Sequence, residues 1–192
     1  MARFQRLDAV ALPLAASDID TDQILPARFM QKLRSDGFAQ YLFHDVRNGS
    51  EGFILDRPAY RGARILVAER NFGCGSSREQ AVYALADHGF RAIIAPSFGD
   101  IFFANCVQNF VLPIILPASS TALLLSKLAA RPGCRMVVDL EAQTVVGPDG
   151  AAYGFAVDPF RKTLLLQGID EIDFTGRYAA RIAQFEGTHK IW

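Results

Sequence analysis

The sequence predicts an α/β fold, a mixed sheet with flanking helices, and three observations predict it. From residue 63 onward, short apolar runs of strand length alternate with stretches of helical periodicity. One stretch runs strand, glycine turn, helix, strand, the length of a parallel crossover. The chain has 192 residues, 51% of them hydrophobic, which suits one domain over residues 1–192 with a sizeable core and no covalent staples. No linker and no internal repeat divides it.

The elements follow in order. Residues 1–6 and the apolar stretch 9–16 faintly imitate a signal peptide, but Asp8 and Pro13 interrupt the pattern and the segment reads as a first strand. Gly37, Gly49, Gly52 and Pro58 punctuate the stretch up to Tyr60, so loops at the surface are expected there. Residues 64–68 form a buried-strand run. A helix over 77–88 is stopped by Gly89, and 92–95 is a second strand ended by Pro96. Ser97 is placed to cap a helix through Val107, 111–116 is a strand, and 119–130 a helix closed by Pro132-Gly133. Residues 135–140 and 144–146 read as strands, with a turn at Pro148-Asp149-Gly150. Helices over 158–166 and 177–185 complete the chain, placing the carboxy-terminal helices at about 158–186.

Twenty basic residues balance twenty acidic ones, which argues against a basic nucleic-acid binder and against an acidic disordered tail. Cys74, Cys106 and Cys134 are odd in number and widely spaced, with no Cys-x-x-Cys. Neither a disulfide framework nor a zinc or iron–sulfur site built by this chain alone is expected, and scattered thiols suit a reducing cytoplasm. No apolar run has the length to span a bilayer. The sequon Asn48-Gly49-Ser50 carries no meaning in a cytosolic protein.

The most informative stretch is Asn71-Phe72-Gly73-Cys74-Gly75-Ser76-Ser77-Arg78-Glu79. Its glycines permit positive φ and leave room for a ligand against the backbone. Ser76 and Glu79 have capping-box spacing, so a helix start with outward N–H groups is expected, and such a terminus favours an anion. Arg78 adds a two-pronged donor for carboxylate or phosphate. A dinucleotide fingerprint fails because Arg78 stands where the third glycine belongs; a Walker loop lacks its Gly-Lys-Ser or Gly-Lys-Thr, and the hydrolase Gly-x-Ser-x-Gly is absent. A capped turn without ligand remains the bland alternative. Cys74 could be acidified near a helix start, but small-residue packing accounts for it better.

Asp18, Asp20 and Asp22 imitate a calcium loop, yet Gln23 and Phe29 stand where its Gly and Glu belong. Strand alternation would instead put the three carboxylates on one face, where they could orient arginines at a site; a solvated turn is the alternative. In the segment 97–109, Phe98, Ile101 and Phe102 have core spacing, and Asn105 and Asn109, a turn apart, could bond a ligand or each other. His44 and His88 are expected at the surface.

Taken together, residues 20–29 (Asp-Thr-Asp-Gln-Ile-Leu-Pro-Ala-Arg-Phe), 71–79 and 94–102 (Ile-Ala-Pro-Ser-Phe-Gly-Asp-Ile-Phe) closely resemble the small subunits of bacterial 3-isopropylmalate dehydratases. Leu42-Phe43 with Asp45 and Arg47, Asn105 with Asn109, and Leu112-Pro113 extend the likeness over nearly the whole chain. The resemblance implies a swivelling β/β/α domain of the aconitase superfamily. It further implies a cluster-bearing large subunit as partner, in a heterodimer or heterotetramer, with the 4Fe–4S cluster carried there and none bound by this chain. The implied reaction is interconversion of 2- and 3-isopropylmalate, by loss and return of water, in leucine biosynthesis.

The same resemblance implies Ser76, as alkoxide, for the general base, and Ser77 with Arg78 for a substrate carboxylate. It assigns choice of the isopropyl group to the loop after Pro26, with Arg28, Phe29 and Met30 followed by Gln31, Lys32 and Leu33. Where the family continues Ser-Arg-Glu with His and then Ala-Pro-Trp-Ala-Leu, this chain has Gln80, Ala81, Val82, Tyr83, Ala84 and Leu85. A paralogous subunit acting on another C-alkyl malate or a citraconate-like dicarboxylate, and a non-catalytic anion-binding module, are the competing readings.

Overall fold

The computed structural model describes residues 3–49 and 51–189. Met1, Ala2, Ser50 and residues 190–192 lie outside the described residues, and with them the sequon serine and the first two residues of the signal-like stretch. Strand β1 (Arg6–Leu14) is the middle of a seven-stranded sheet. On one side it pairs in parallel with β2 (Ile65–Ala68), followed outward by β3 (Ala92–Ala95) and β4 (Leu112–Ile115), all parallel. On the other side β5 (Arg135–Asp139), β6 (Thr144–Val146) and β7 (Ala152–Gly154) continue it antiparallel. The expected parallel crossover is therefore the β2–β3 unit, and the signal-like apolar residues form the central strand.

β2 and β3 read Ile-Leu-Val-Ala and Ala-Ile-Ile-Ala because both faces of the parallel half are covered. Leu66, Ala68, Ile93 and Ala95 point into one core, shared with Leu85 and Val82 of α3 (Glu79–His88). Ile65, Val67, Ala92 and Ile94 point into a second, against Leu124 and Leu128 of α5 (Ala118–Ala130) and Leu165 of α6 (Pro159–Gln167). The described residues also form α1 (Thr21–Ile24), α2 (His44–Asn48) and α4 (Asp100–Gln108). No helix among them is long and apolar enough to cross a membrane.

Three expectations need correction. The first third, read as a mixed loop or short helix with surface loops, has short helical turns, and residues in and between them, Leu25, Phe38, Leu42, Phe43, Leu55 and Tyr60, are buried in the first core. The helix expected over 177–185 is α8 (Ala179–Thr188), and a helix that was not expected, α7 (Glu171–Gly176), precedes it, started by the Asp170 carboxylate accepting from the Asp173 N–H. The helix expected from Ser97 begins at Asp100, with Gly99 as its cap; the Ser97 hydroxyl instead accepts from the Asn71 N–H at 2.8 Å.

Candidate active site

Beyond the carboxyl ends of the parallel strands, the chain keeps their order without regular sheet. Residues 71–74 run between 18–21 and 97–99. Gly73 N–H donates to the Ile19 carbonyl (2.7 Å) and Thr21 N–H to that of Cys74 (2.9 Å), while Phe72 N–H and Gly99 N–H bond across to Ser97 and Phe72. Ligands of open α/β sheets bind at this end. Gly73 (φ +71°) and Gly75 (φ +88°) both take the left-handed conformation expected of them. At Gly73 the reason is also space: a Cβ would stand 2.2 Å from Cγ of the Phe102 ring.

The turn carries Ser76 and Ser77 into an open cleft of about 220 Å³, walled by Gly73 and Gly75 on one side and by Gly99, Asp100 and Ile101 on the other. Both serines are exposed. Neither caps α3. The helix starts at Glu79, its cap position is Arg78 in extended conformation (φ −119°, ψ 105°), and no side chain bonds its free N–H groups. The capping box read from Ser76 and Glu79 is thus absent, and the cause is visible in α1. The Thr21 hydroxyl donates to the Ser76 carbonyl at 2.9 Å, and Asp22 grips the Arg78 guanidinium, so residues 76–78 are held straight from both ends.

Arg78 bonds Asp22 through both terminal nitrogens, NH2 to Oδ2 at 2.8 Å. Its side chain is only 12% exposed, that of Asp22 56%. Arg78's hydrogen bond holds the Asp22 carboxyl below its usual range, and Asp22 raises Arg78 in return. Asp22 Oδ1 also accepts from the Ala27 N–H at 3.2 Å, so one carboxylate ties the arginine to the start of the loop after Pro26. The expected convergence of hydroxyls, guanidinium and helix start is therefore partial: the serines face the cleft, while the guanidinium is turned onto Asp22.

Arg28, Phe29 and Met30 are not among the residues that line the serine cleft. Arg28 pairs with Asp45 (NH1 to Oδ2, 2.8 Å) and lies 4.6 Å over the Phe29 ring, which stacks on Tyr41 at 4.2 Å. Met30 is half-buried beside them. His44, expected at the surface, is half-buried against Phe29, and His88 stacks on Phe90 with its pKa lowered by burial.

The acidic edge does orient arginines, but not by strand alternation. Asp18 (φ +55°) accepts from the Asn71 side chain and from Arg70, Asp20 caps α1 through the Gln23 N–H, and Asp22 takes Arg78. The tether through Thr21 has no signal in the sequence: a threonine between two aspartates reads as a polar turn, and its burial, 1% exposed, comes with the Ser76 carbonyl it bonds. Of the segment 97–109, Phe102 is core, but Ile101 is 54% exposed on the cleft wall. Asn109 bonds the Asn105 carbonyl and Glu79 rather than the Asn105 side chain. Burial, with Asp20 and Asp18 adding to it, pushes the Cys74 thiol up, against a nucleophilic thiolate.

No group of three or more His, Cys, Asp or Glu among the described residues comes together as a metal site, and Cys106 is fully buried in the first core.

A hydroxyl-bearing glycine turn at the carboxyl ends of parallel strands, in this mixed sheet, is the arrangement of an aconitase-type domain, and the model described as the aconitase C-terminal domain matches residues 1–119. A second, described as LeuD_N, matches residues 122–159. The chain is 44% identical to the 3-isopropylmalate dehydratase small subunit of Dechloromonas aromatica, covering 100% of this chain and 97% of that one. It is 51% identical to that of Anoxybacillus flavithermus, over 90% and 91%. The chain belongs to the family of 3-isopropylmalate dehydratase small subunits. A crystal structure of 3-isopropylmalate dehydratase from Methanocaldococcus jannaschii superposes with a TM-score of 0.71 at 23% identity, over 93% of this chain and 98% of that one, and shares the fold.

Proposed function

We propose that this chain is one half of a two-subunit hydro-lyase that interconverts 2- and 3-isopropylmalate in the cytoplasm, in leucine biosynthesis, and that residues 1–192 act as a single swivelling domain. Near-full-length likeness to named small subunits supports the reading. The observation that carries it into chemistry is the pair of exposed hydroxyls, Ser76 and Ser77, on an anchored turn over an open cleft. Ser76 Oγ, as alkoxide, takes the proton from the carbon beside a carboxylate. The electron pair of the broken C–H bond forms the alkene, and hydroxide leaves the neighbouring carbon. Return of water with the two carbons exchanged gives the isomer. Lewis-acid help to the departing hydroxyl is supplied by a 4Fe–4S cluster carried on a large subunit.

Ser77 and Arg78 bind a substrate carboxylate in this reading. Asp22 holds the guanidinium through both terminal nitrogens, and its own exposure lets a ligand oxygen share or replace it. The loop carrying Arg28, Phe29 and Met30 reads the alkyl group. The alkoxide is stabilised once a partner closes the cleft and excludes water. The test is reconstitution with a cluster-bearing large subunit, following the alkene by ultraviolet absorbance: turnover should require both chains, and turnover by this chain alone overturns the proposal. In the same assay Arg78→Lys is expected to raise KM about tenfold, because a point charge cannot keep both the Asp22 fork and a substrate oxygen. An unchanged KM removes Arg78 from the carboxylate site.

A further inference from the structure

The loop after Pro26 is fastened at its start by Asp22, through the Ala27 N–H, and by the stacking of Phe29 on Tyr41. Its far end is fastened by a different device. The guanidinium carbon of Arg34 lies over the Tyr83 ring, 3.9 Å from the centroid. Its NH1 donates to Asn109 Oδ1 at 3.1 Å, and NH2 stands 3.7 Å from Asp87 Oδ1. Asn109 Nδ2 in turn donates to Glu79 Oε1 at 2.9 Å. The other oxygen of Asp87 accepts from the Phe38 N–H at 3.2 Å.

Glu79, Tyr83 and Asp87 are spaced four residues apart along α3 and so form one stripe. Its first member directly follows Arg78. The far end of the loop therefore docks directly on the helix that follows the serine turn, while its start is tied to that turn indirectly, through Asp22 and its pair with Arg78. Between the two fastenings lies the tip, residues 31–33, exposed, with Leu33 at 69%. To discriminate between alkyl groups the apolar residues of the loop, Phe29, Met30 and Leu33, need a fixed position, and Arg34 supplies the fastening at its far end.

We propose that Arg34 is a positioning residue: stacked on Tyr83 and forked toward Asn109 and Asp87, it latches the alkyl-reading loop onto α3. The proposal rests on the dehydratase reading for its substrate but not for its mechanics. A cation stacked on a ring and hydrogen-bonded at its edge is a contact lysine reproduces only in part.

The experiment compares wild type, Arg34→Ala and Arg34→Lys in the complex reconstituted with the large subunit, by hydrogen exchange and by kinetics. In Arg34→Ala the amides of Asp36, Gly37 and Phe38, bonded to Leu33, Arg34 and Asp87, should exchange about tenfold faster, and KM for 3-isopropylmalate should rise about tenfold with kcat changed less than about threefold. The preference for isopropyl over methyl substitution should shrink, and Arg34→Lys should fall between the two. Unchanged exchange overturns the latch. A fall in kcat matching the rise in KM, with alkyl preference intact, reduces Arg34 to general stability and overturns its positioning role. Faster exchange in a complex whose wild type accepts no alkylmalate leaves the latch standing and removes the dehydratase reading instead.

Discussion

Ser76→Ala is expected to lower turnover of the reconstituted enzyme by a factor on the order of a thousand, the usual contribution of a general base, while the subunits still assemble. The structure makes this a clean test. What holds the turn is the Ser76 carbonyl, bonded by Thr21, and alanine keeps that carbonyl. Since Ser76 does not cap α3, removing its hydroxyl takes no hydrogen bond from the helix. The side chain is exposed, so stability should move by less than about 0.5 kcal/mol. Alkene absorbance gives the rate, and a melting curve of the isolated chain gives the control. Near-normal turnover in the variant ends the role assigned to Ser76, whatever its stability.

Gly73→Ala should be the most damaging small substitution in the turn. A methyl group there would meet three atoms of the Phe102 ring at 2.2, 2.4 and 2.5 Å. That ring cannot swing away freely: it is 3% exposed and set edge-on to Phe72, with centroids 5.5 Å apart. On the far side of the turn, a Cβ at Gly99 would lie 2.5 Å from the Gly73 carbonyl oxygen, so the backbone is wedged as well. Left-handed strain and overpacking together should cost about 3 kcal/mol. Gly37→Ala is the control, because its φ of +76° is similar but its surroundings are empty within 4 Å; it should cost about 1 kcal/mol. Urea denaturation of both variants decides the matter. Equal costs would mean that the approach of Phe102 carries no weight.

The sheet was legible because periodicity reports burial directly. β3 and β6 begin and end where the sequence placed them, and β2 and α5 agree to within one residue. The glycine turn was legible for the same kind of reason, since Gly73 and Gly75 answer a local steric demand. Less visible was anything decided by partners distant in sequence. The capping pattern at Ser76 and Glu79 is locally sound, and it loses to two tethers from Thr21 and Asp22, more than fifty residues away. Asp18, Asp20 and Asp22 looked like alternating strand positions, whereas Asp20 starts a helix that turns Asp22 toward Arg78. The buried aromatics of the first third, Phe38 and Phe43, carry no periodicity, because each stands at the boundary of a short helical turn, where the chain changes direction.

β2 and β3 contain no side chain that gains or loses a proton; each consists of four buried apolar residues. Acid therefore acts on the mouth of this molecule from above, where Asp18 and Asp22 are both held below the ordinary value of 3.8, the first chiefly by the amide of Asn71 and the second chiefly by Arg78. Carboxyls displaced in that direction support the native state fully above 3.8 and cease to do so as pH drops through their own lower values. On acidification, amide exchange should quicken first across 71–78 and only later in the two strands beneath. The reverse sequence would show that the strands, rather than the tethers, set the acid limit of the serine turn.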